Sequence, residues 1–210
     1  MSIAAKKRLL IFTRYPEPGQ VKTRLIPFLG EEGAASLHRQ MIEHTLRWAR
    51  AWQRHSEACA EVHFASGSLA KMQSMFGHDL SYVRQADGDL GQRLIAATCG
   101  DLRATVIVGT DCPALSEDHV IQAFDALTTH DVVIGPATDG GYYLIGIRRC
   151  APVFFQGIDW GTATVCAATR RIAAEQRLSL TLLELLSDVD EPKDLPLWEA
   201  ATRESARNAT

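Results

Sequence analysis

No two cysteines in this chain stand in a C-x-x-C spacing, and the five present (Cys59, Cys99, Cys112, Cys150 and Cys166) are odd in number and scattered. That excludes a zinc knuckle or a dithiol redox centre and leaves reduced, mostly buried thiols as the expectation. A strong charge of either sign is also missing. With 22 Lys and Arg against 25 Asp and Glu, the net charge of −3 offers no field for gathering nucleic acid. Long apolar runs are absent: Leu9 to Phe12, behind Lys6, Lys7 and Arg8, is too short for a signal-peptide core and lacks a small-residue cleavage site. No window approaches a membrane span. A cytoplasmic protein without a membrane or nucleic-acid partner is therefore expected. Repeats, low-complexity tracts and linkers are missing too, so the 210 residues are expected to form a single domain over 1–210. Neither G-x-x-x-x-G-K-[ST] nor G-x-G-x-x-G occurs, which argues against a Walker-type hydrolase and a dinucleotide dehydrogenase.

What is present is an alternation of short apolar runs rich in β-formers with longer amphipathic stretches. This pattern implies an α/β fold of three layers, with strands joined by crossover helices around a mainly parallel, Rossmann-like sheet. Strands are expected at Arg8–Thr13, Glu61–Ala65, Leu80–Arg84, Ala104–Val108, Asp131–Gly135, Tyr142–Ile147 and Leu178–Leu183. Helices are expected from Glu31 to about Arg54, over Leu69–Phe76, Leu90–Cys99 and Ser116–Leu127, and from Ala163 to about Gln176, with a frayed helix end after Trp198. The turn Thr138–Gly141 is too short to hold a crossover helix, so its two strands are expected to be antiparallel and the sheet mixed. Ligands of such sheets bind beyond the carboxyl ends of the strands, so the loops after Thr13, Gln85, Val108 and Gly135 are the places to search.

The first loop, Pro16-Glu17-Pro18-Gly19-Gln20-Val21-Lys22-Thr23-Arg24, follows Arg14 and sets three cations around one glycine. Lysine supplies a compact charge and arginine a planar fork, while Gly19 lets backbone amides approach, so the set suits a phosphate chain. The bland alternative is a basic surface loop. After the strongest strand comes Gly109-Thr110-Asp111-Cys112-Pro113, whose Asp111 is placed to hold a hard cation such as Mg2+ or Mn2+ against phosphate; a turn aspartate before proline is the alternative. Cys112 reads as a packed thiol. In Asp188-Val189-Asp190 alternation puts both carboxylates on one side, so either could join Asp111 at the metal. Asp194 fits the first turn of the next helix. Asp139, in Thr138-Asp139-Gly140-Gly141, could bind a sugar hydroxyl or take a proton from an acceptor, although Asp-Gly is also a plain hairpin signal.

Taken together these segments resemble the GT-A-fold nucleotide-diphospho-sugar transferase superfamily, and within it the small bacterial radical-SAM/selenodomain-associated, arsenosugar-type glycosyltransferases. The resemblance rests on P-x-P-G-x-V-K-T-R-L ending at Leu25, Q-A-D-G-D-L-G-Q-R-L over 85–94, G-T-D-C-P over 109–113, T-D-G-G-Y-Y over 138–143, I-D-W-G-T-A-T-V over 158–165 and D-V-D-E-P-K-D-L over 188–195. It implies that Gln85, Gly88, Asp89, Leu90 and Gly91 read the base, and that Arg93 reaches a phosphate or braces that loop. It further implies that Asp111 and Asp190 hold the ion, that Asp139, Gly140 and Gly141 face the acceptor, and that Trp160, Thr162 and Thr164 form part of its pocket.

Two departures matter. Gly109-Thr110-Asp111 has glycine where many metal-dependent glycosyltransferases of this fold carry the first acid of Asp-x-Asp, and a lysine-and-arginine loop after the first strand resembles that of guanylyltransferases. Two reactions are thus open: sugar transfer from a nucleoside-diphosphate donor to a small-molecule acceptor, or nucleotidyl transfer from a triphosphate with loss of pyrophosphate. A non-catalytic nucleotide-sugar binding module is the remote third, disfavoured because the acidic residues remain.

Overall fold

The computed structural model describes residues 7–56, 58–149 and 151–207. Seven strands, β1 (Lys7–Arg14), β2 (Ala58–Ala65), β3 (Ser81–Arg84), β4 (Ala104–Val108), β5 (Val132–Pro136), β6 (Tyr142–Ile147) and β7 (Leu180–Leu182), form one sheet in the order β3-β2-β1-β4-β6-β5-β7. Only β6 runs against its neighbours: it pairs antiparallel with β4 and β5, while the remaining pairs are parallel. The short Thr138–Gly141 connection dictates the β5–β6 antiparallel pair, as expected; that β6 inserts between β4 and β5 has no local signal in the sequence.

Strand periodicity separates the two faces. In β1, Leu9 and Ile11 belong to one apolar cluster with Leu46 and Trp52 of α1 (Ile26–His55), Met72 of α2 (Leu69–Phe76) and Phe124 of α4 (Glu117–Ala126). Leu10 faces the other way, into a cluster with Leu94 of α3 (Leu90–Thr98) and Val165 and Ile172 of α5 (Val165–Glu175). Burial on both faces of a central strand is what a three-layer α/β/α arrangement requires.

Helix ends follow side-chain chemistry. Asp89 accepts from the Gln92 amide at 2.8 Å while the Gln92 side chain accepts from the Asp89 amide at 2.9 Å, a reciprocal cap that starts α3 at Leu90. Helix α1 starts earlier than expected, at Ile26, because Pro27 suits a first turn. Gly30 then breaks it with φ 71° and ψ 169°, so the continuous helix does begin at Glu31. The C-terminal residues are more regular than a frayed end: α6 spans Leu195–Arg207, entered through a 3-10 turn at Pro192–Asp194 in which Asp194 caps the amides of Asp190 and Glu191.

A third cluster, Leu25, Ala34, Leu37, Met41 and Val189, pins the C-terminal acidic segment against α1. The thiols depart from expectation: Cys112 is buried, Cys59 and Cys166 are half-buried, and Cys99 is disulfide-bonded. Disulfide formation depends on Cα proximity in the fold, which sequence spacing does not show. Cys150, like Lys6, lies outside the described residues.

Candidate active site

The carboxyl ends of β1, β3 and β4 open into a cleft of about 650 Å3 lined, among others, by Arg14, Lys22, Arg24, Gln85, Arg93, Asp111, Asp139 and Asp190. A larger groove of about 890 Å3 between α1, the start of α4 and α6 contains none of these residues.

The cleft floor is built by pairing at strand ends. The buried hydroxyls of Thr13 and Thr110 meet at 3.1 Å and tie the end of β1 to the loop after β4. On that loop, the Asp111 carbonyl accepts from the Val189 amide at 2.9 Å. A parallel bridge between Ala137 and Leu186, with Thr138 donating to the Leu186 carbonyl, extends β5 alongside the same segment. Residues 186–190 are thereby stitched to two strand ends, and Asp188 and Asp190 arrive beside Asp111. Val189 between them is fully buried, so the expected alternation holds.

The carboxylates repel one another. Burial, then the charges of Asp111, Asp139 and Asp190, push the Asp188 carboxyl up to about 7. Asp111 is driven the other way: burial opposes its charge, and the neighbouring Lys22 ammonium overrides that and holds it below the usual carboxylate range. Lys22 sits between Asp111 and Asp190, with Nζ 2.6 Å from Asp111 Oδ1 and 3.0 Å from Asp190 Oδ1, and donates to the Val189 carbonyl at 2.7 Å. Only 4 % of its side chain is exposed. Burial disfavours the ammonium, yet the two carboxylates raise its pKa above the ordinary lysine value. The sequence pattern casts Lys22 as a phosphate ligand; in the structure it lines the cleft with its ammonium between two acids.

Arg14 and Arg24 are exposed on the cleft wall, and among the described residues neither has a carboxylate at ion-pair distance. They are the cations free to meet a phosphate. Gly19 has φ 75°, and a Cβ there would stand 3.4 Å from the Glu31 carboxylate, which places the Pro-Gly turn beside the start of the continuous α1.

The loop after β3 is built mainly of internal contacts. The Gln85 side-chain amide donates to the carbonyls of His63 (2.8 Å) and Thr13 (3.3 Å), and Arg93 Nε donates to the Gly88 carbonyl at 2.9 Å. Arg93 therefore braces the loop, one of its two expected roles. Gly88 has φ 112°, and a Cβ on Gly91 would lie 2.1 Å from the Phe155 carbonyl and 2.8 Å from the Trp160 indole nitrogen. Leu90 is exposed at the cleft wall and gives it an apolar patch.

Asp139 is exposed in the cleft with Oδ1 accepting from the Gly141 amide at 2.8 Å. Its turn is fixed from behind: Gly140 has φ 88°, a Cβ on it would meet the Ala163 carbonyl at 2.1 Å, and its own carbonyl accepts from the Cys166 amide. Trp160 packs edge-on against Tyr142 at 6.3 Å, and Thr162 bonds to the Asp159 carbonyl and the Thr164 hydroxyl. These three belong to the entry of α5 and are not on the cleft lining, whereas their neighbour Gly161 is.

One cleft residue carried no sequence signal. His38, in the apolar stripe of α1, lies with Nδ1 3.8 Å from Asp111 Oδ1; it is 5 % exposed and neither ring nitrogen has a hydrogen-bond partner. Burial lowers its pKa, so it is neutral at pH 7. Cys112, by contrast, is a packed thiol that burial pushes up to about 12, in line with expectation.

Residues 48–162 match the family described as "Uncharacterized protein conserved in bacteria (DUF2064)". The chain belongs to the DUF2064 family. No curated protein matches it. Among solved structures, a protein of Desulfovibrio desulfuricans G20 provisionally named a nucleotide-diphospho-sugar transferase is 34% identical over 89% of this chain and 83% of its own, with a TM-score of 0.81. A CMP:2-keto-3-deoxy-manno-octonic acid synthetase in complex with CTP shares the fold at 13% identity, covering 95% and 99% of the two chains with a TM-score of 0.60. A Mycobacterium tuberculosis H37Rv protein in complex with manganese shares it at 14% identity, covering 91% and 96% of the two chains with a TM-score of 0.53. The DUF2064 chain thus has the mixed α/β fold of nucleotide-sugar and nucleotidyl transferases. Among the described residues no helix is long and apolar enough to cross a membrane, and no group of three His, Cys, Asp or Glu side chains is already drawn together as a metal cage.

Proposed function

We propose that this DUF2064 protein is a divalent-metal-dependent transferase that takes a sugar from a nucleoside-diphosphate donor and places it on a hydroxyl of a small-molecule acceptor. The observation carrying this reading is the polarity of one cleft: Arg14 and Arg24 exposed on its wall, Asp111, Asp139 and Asp190 in its lining, and Asp188 close enough to feel the charge of all three. The likeness to the Desulfovibrio protein over most of both chains supports the donor class.

The donor set fits a hard divalent cation. Asp188 is held towards its protonated form by burial and then by its acidic neighbours, a surplus of negative charge that a divalent cation would offset. Asp111 and Asp190 would hold the ion, with Asp188 the nearest further carboxylate, and the bound ion would neutralise charge growing on the leaving phosphate. Arg14 and Arg24 bind phosphate oxygens, with planar forks suited to bidentate contact. Leu90 and the Gly88–Gly91 loop offer the base an apolar edge. The acceptor oxygen bonds to the anomeric carbon as the bond from that carbon to the diphosphate oxygen breaks; the electron pair leaves on the diphosphate, and the hydroxyl proton passes to Asp139. The radical-SAM and arsenosugar association implied by the sequence resemblance would fix the acceptor more narrowly, and it rests on that resemblance alone.

Nucleotidyl transfer is the second reading, favoured by a specific feature: Arg14, Lys22 and Arg24 all line the one cleft, more positive charge than a diphosphate needs. Incubating the protein with Mg2+ or Mn2+, a panel of nucleotide sugars and triphosphates, and hydroxyl and phosphate acceptors separates the two. Nucleoside diphosphate released from a nucleotide sugar is the expected result. Acceptor-dependent pyrophosphate from a triphosphate would overturn it in favour of the second reading.

A further inference from the structure

Three observations converge on Lys22. Its ammonium makes an ion pair with Asp111 Oδ1 at 2.6 Å and donates to Asp190 Oδ1 at 3.0 Å and to the Val189 carbonyl at 2.7 Å. The two carboxylates are those that would hold the divalent ion. The residue also adopts the left-handed backbone region, φ 47° and ψ 42°, at the entrance to a 3-10 turn. A lysine persists there only when tertiary contacts hold it, and the contacts of Nζ are available to do so.

We infer that Lys22 is a resident counter-ion that competes with the divalent cation for Asp111 and Asp190, and that its release couples metal binding to phosphate binding. Without metal, the ammonium keeps two close carboxylates from repelling each other. A divalent ion seated on the Asp111 and Asp190 oxygens that Nζ contacts would be repelled by the ammonium at close range, so the ion enters by displacing Nζ. Lys22 is then free to reach towards the cleft wall where Arg14 and Arg24 stand, and a phosphate chain that accepts it removes the competitor from the acids. Metal and nucleotide thus bind with positive coupling through one side chain, and each tightens the other by the same factor. This inference rests on the metal-dependent reading above.

The test uses the intact chain and Mn2+ alone, with free Mn2+ followed by electron paramagnetic resonance. Wild-type protein is expected to bind Mn2+ weakly, and Lys22→Met to bind it at least about tenfold more tightly, because a positive charge at contact distance from both ligands has gone. Adding a nucleoside diphosphate should tighten Mn2+ binding in the wild type and have a smaller effect in Lys22→Met. Equal or weaker Mn2+ binding by Lys22→Met overturns the inference while leaving a metal-dependent transferase intact. Absence of Mn2+ binding from both proteins, at any concentration and with nucleotide, overturns the metal reading and the inference with it. If Lys22→Met fails to fold, the wild type still decides: under reductive methylation with mass-spectrometric readout, Lys22 should be protected in metal-free protein and become reactive at saturating Mg2+. Unchanged protection overturns the inference.

Discussion

Lys22 and Asp188 show how a single side chain departs from what its neighbours in sequence imply. Each is set by residues far along the chain: Lys22 by Asp190, 168 positions away, and Asp188 by Asp111 and Asp139. Asp188 also makes a measurable prediction. Its folded pKa of about 7 lies above the unfolded carboxyl value near 3.9, so the folded state binds the extra proton. Stability is therefore unaffected by this group below pH ~4 and falls as pH rises through ~4 to ~7, after which the penalty is complete. In metal-free protein, Asp188→Asn should melt at a higher temperature than wild type at pH 8, and the gap should close at pH 4.5. A gap that is the same at both pH values would contradict the assigned shift. Asp111→Asn should act on binding, lowering metal-dependent nucleotide affinity by roughly 100-fold, comparable to removal of a charge-assisted ligand contact. Retained metal dependence in a titration would remove Asp111 from the ligand set.

Elements were more legible than contacts. Every expected strand and helix is present, because a periodicity of two or 3.6 is a local signal. Asp111, Asp139 and Asp190 could be found because each lies in the loop after a strand, where ligands of this sheet type bind. His38 could not, since a histidine within the apolar stripe of α1 reads like any core position. Gln85 lines the cleft and also uses its amide to hold the ends of β1 and β2 together; only the backbone geometry of two strands reveals that second contact. The turn at 138–141 gives this scale its test. A methyl group on Gly140 would lie 2.1 Å from the Ala163 carbonyl at a backbone φ of 88°. Gly140→Ala should cost roughly 2 kcal/mol or more in urea unfolding, and should lower activity by shifting Asp139. A stable, active Gly140→Ala variant would show that the turn can move without consequence.

At the scale of the whole molecule, the cleft is assembled from two stretches that pair in the sheet along β4 and β6 and meet again, at the cleft, through the C-terminal segment. The N-terminal stretch, from β1 to β4, brings Arg14, Lys22, Arg24 and Asp111; the later stretch brings Asp139, Asp188 and Asp190. Val189 joins them. Its amide donates to the Asp111 carbonyl, its carbonyl accepts from Lys22, and its side chain, fully buried, packs with Leu25, Leu37 and Met41. A conservative change there tests whether this junction carries the site. Val189→Ala preserves both backbone hydrogen bonds and every charge, and removes two buried methyl groups, for an expected loss of about 2 kcal/mol of stability. If the packing of Val189 sets the spacing of the carboxylates on either side, Mn2+ and nucleotide affinity should both fall several-fold at temperatures where the variant is fully folded. A variant that loses stability yet binds Mn2+ and nucleotide like the wild type would mean that the backbone bonds alone hold Asp188 and Asp190 in register, and that the apolar cluster beneath them serves only the fold.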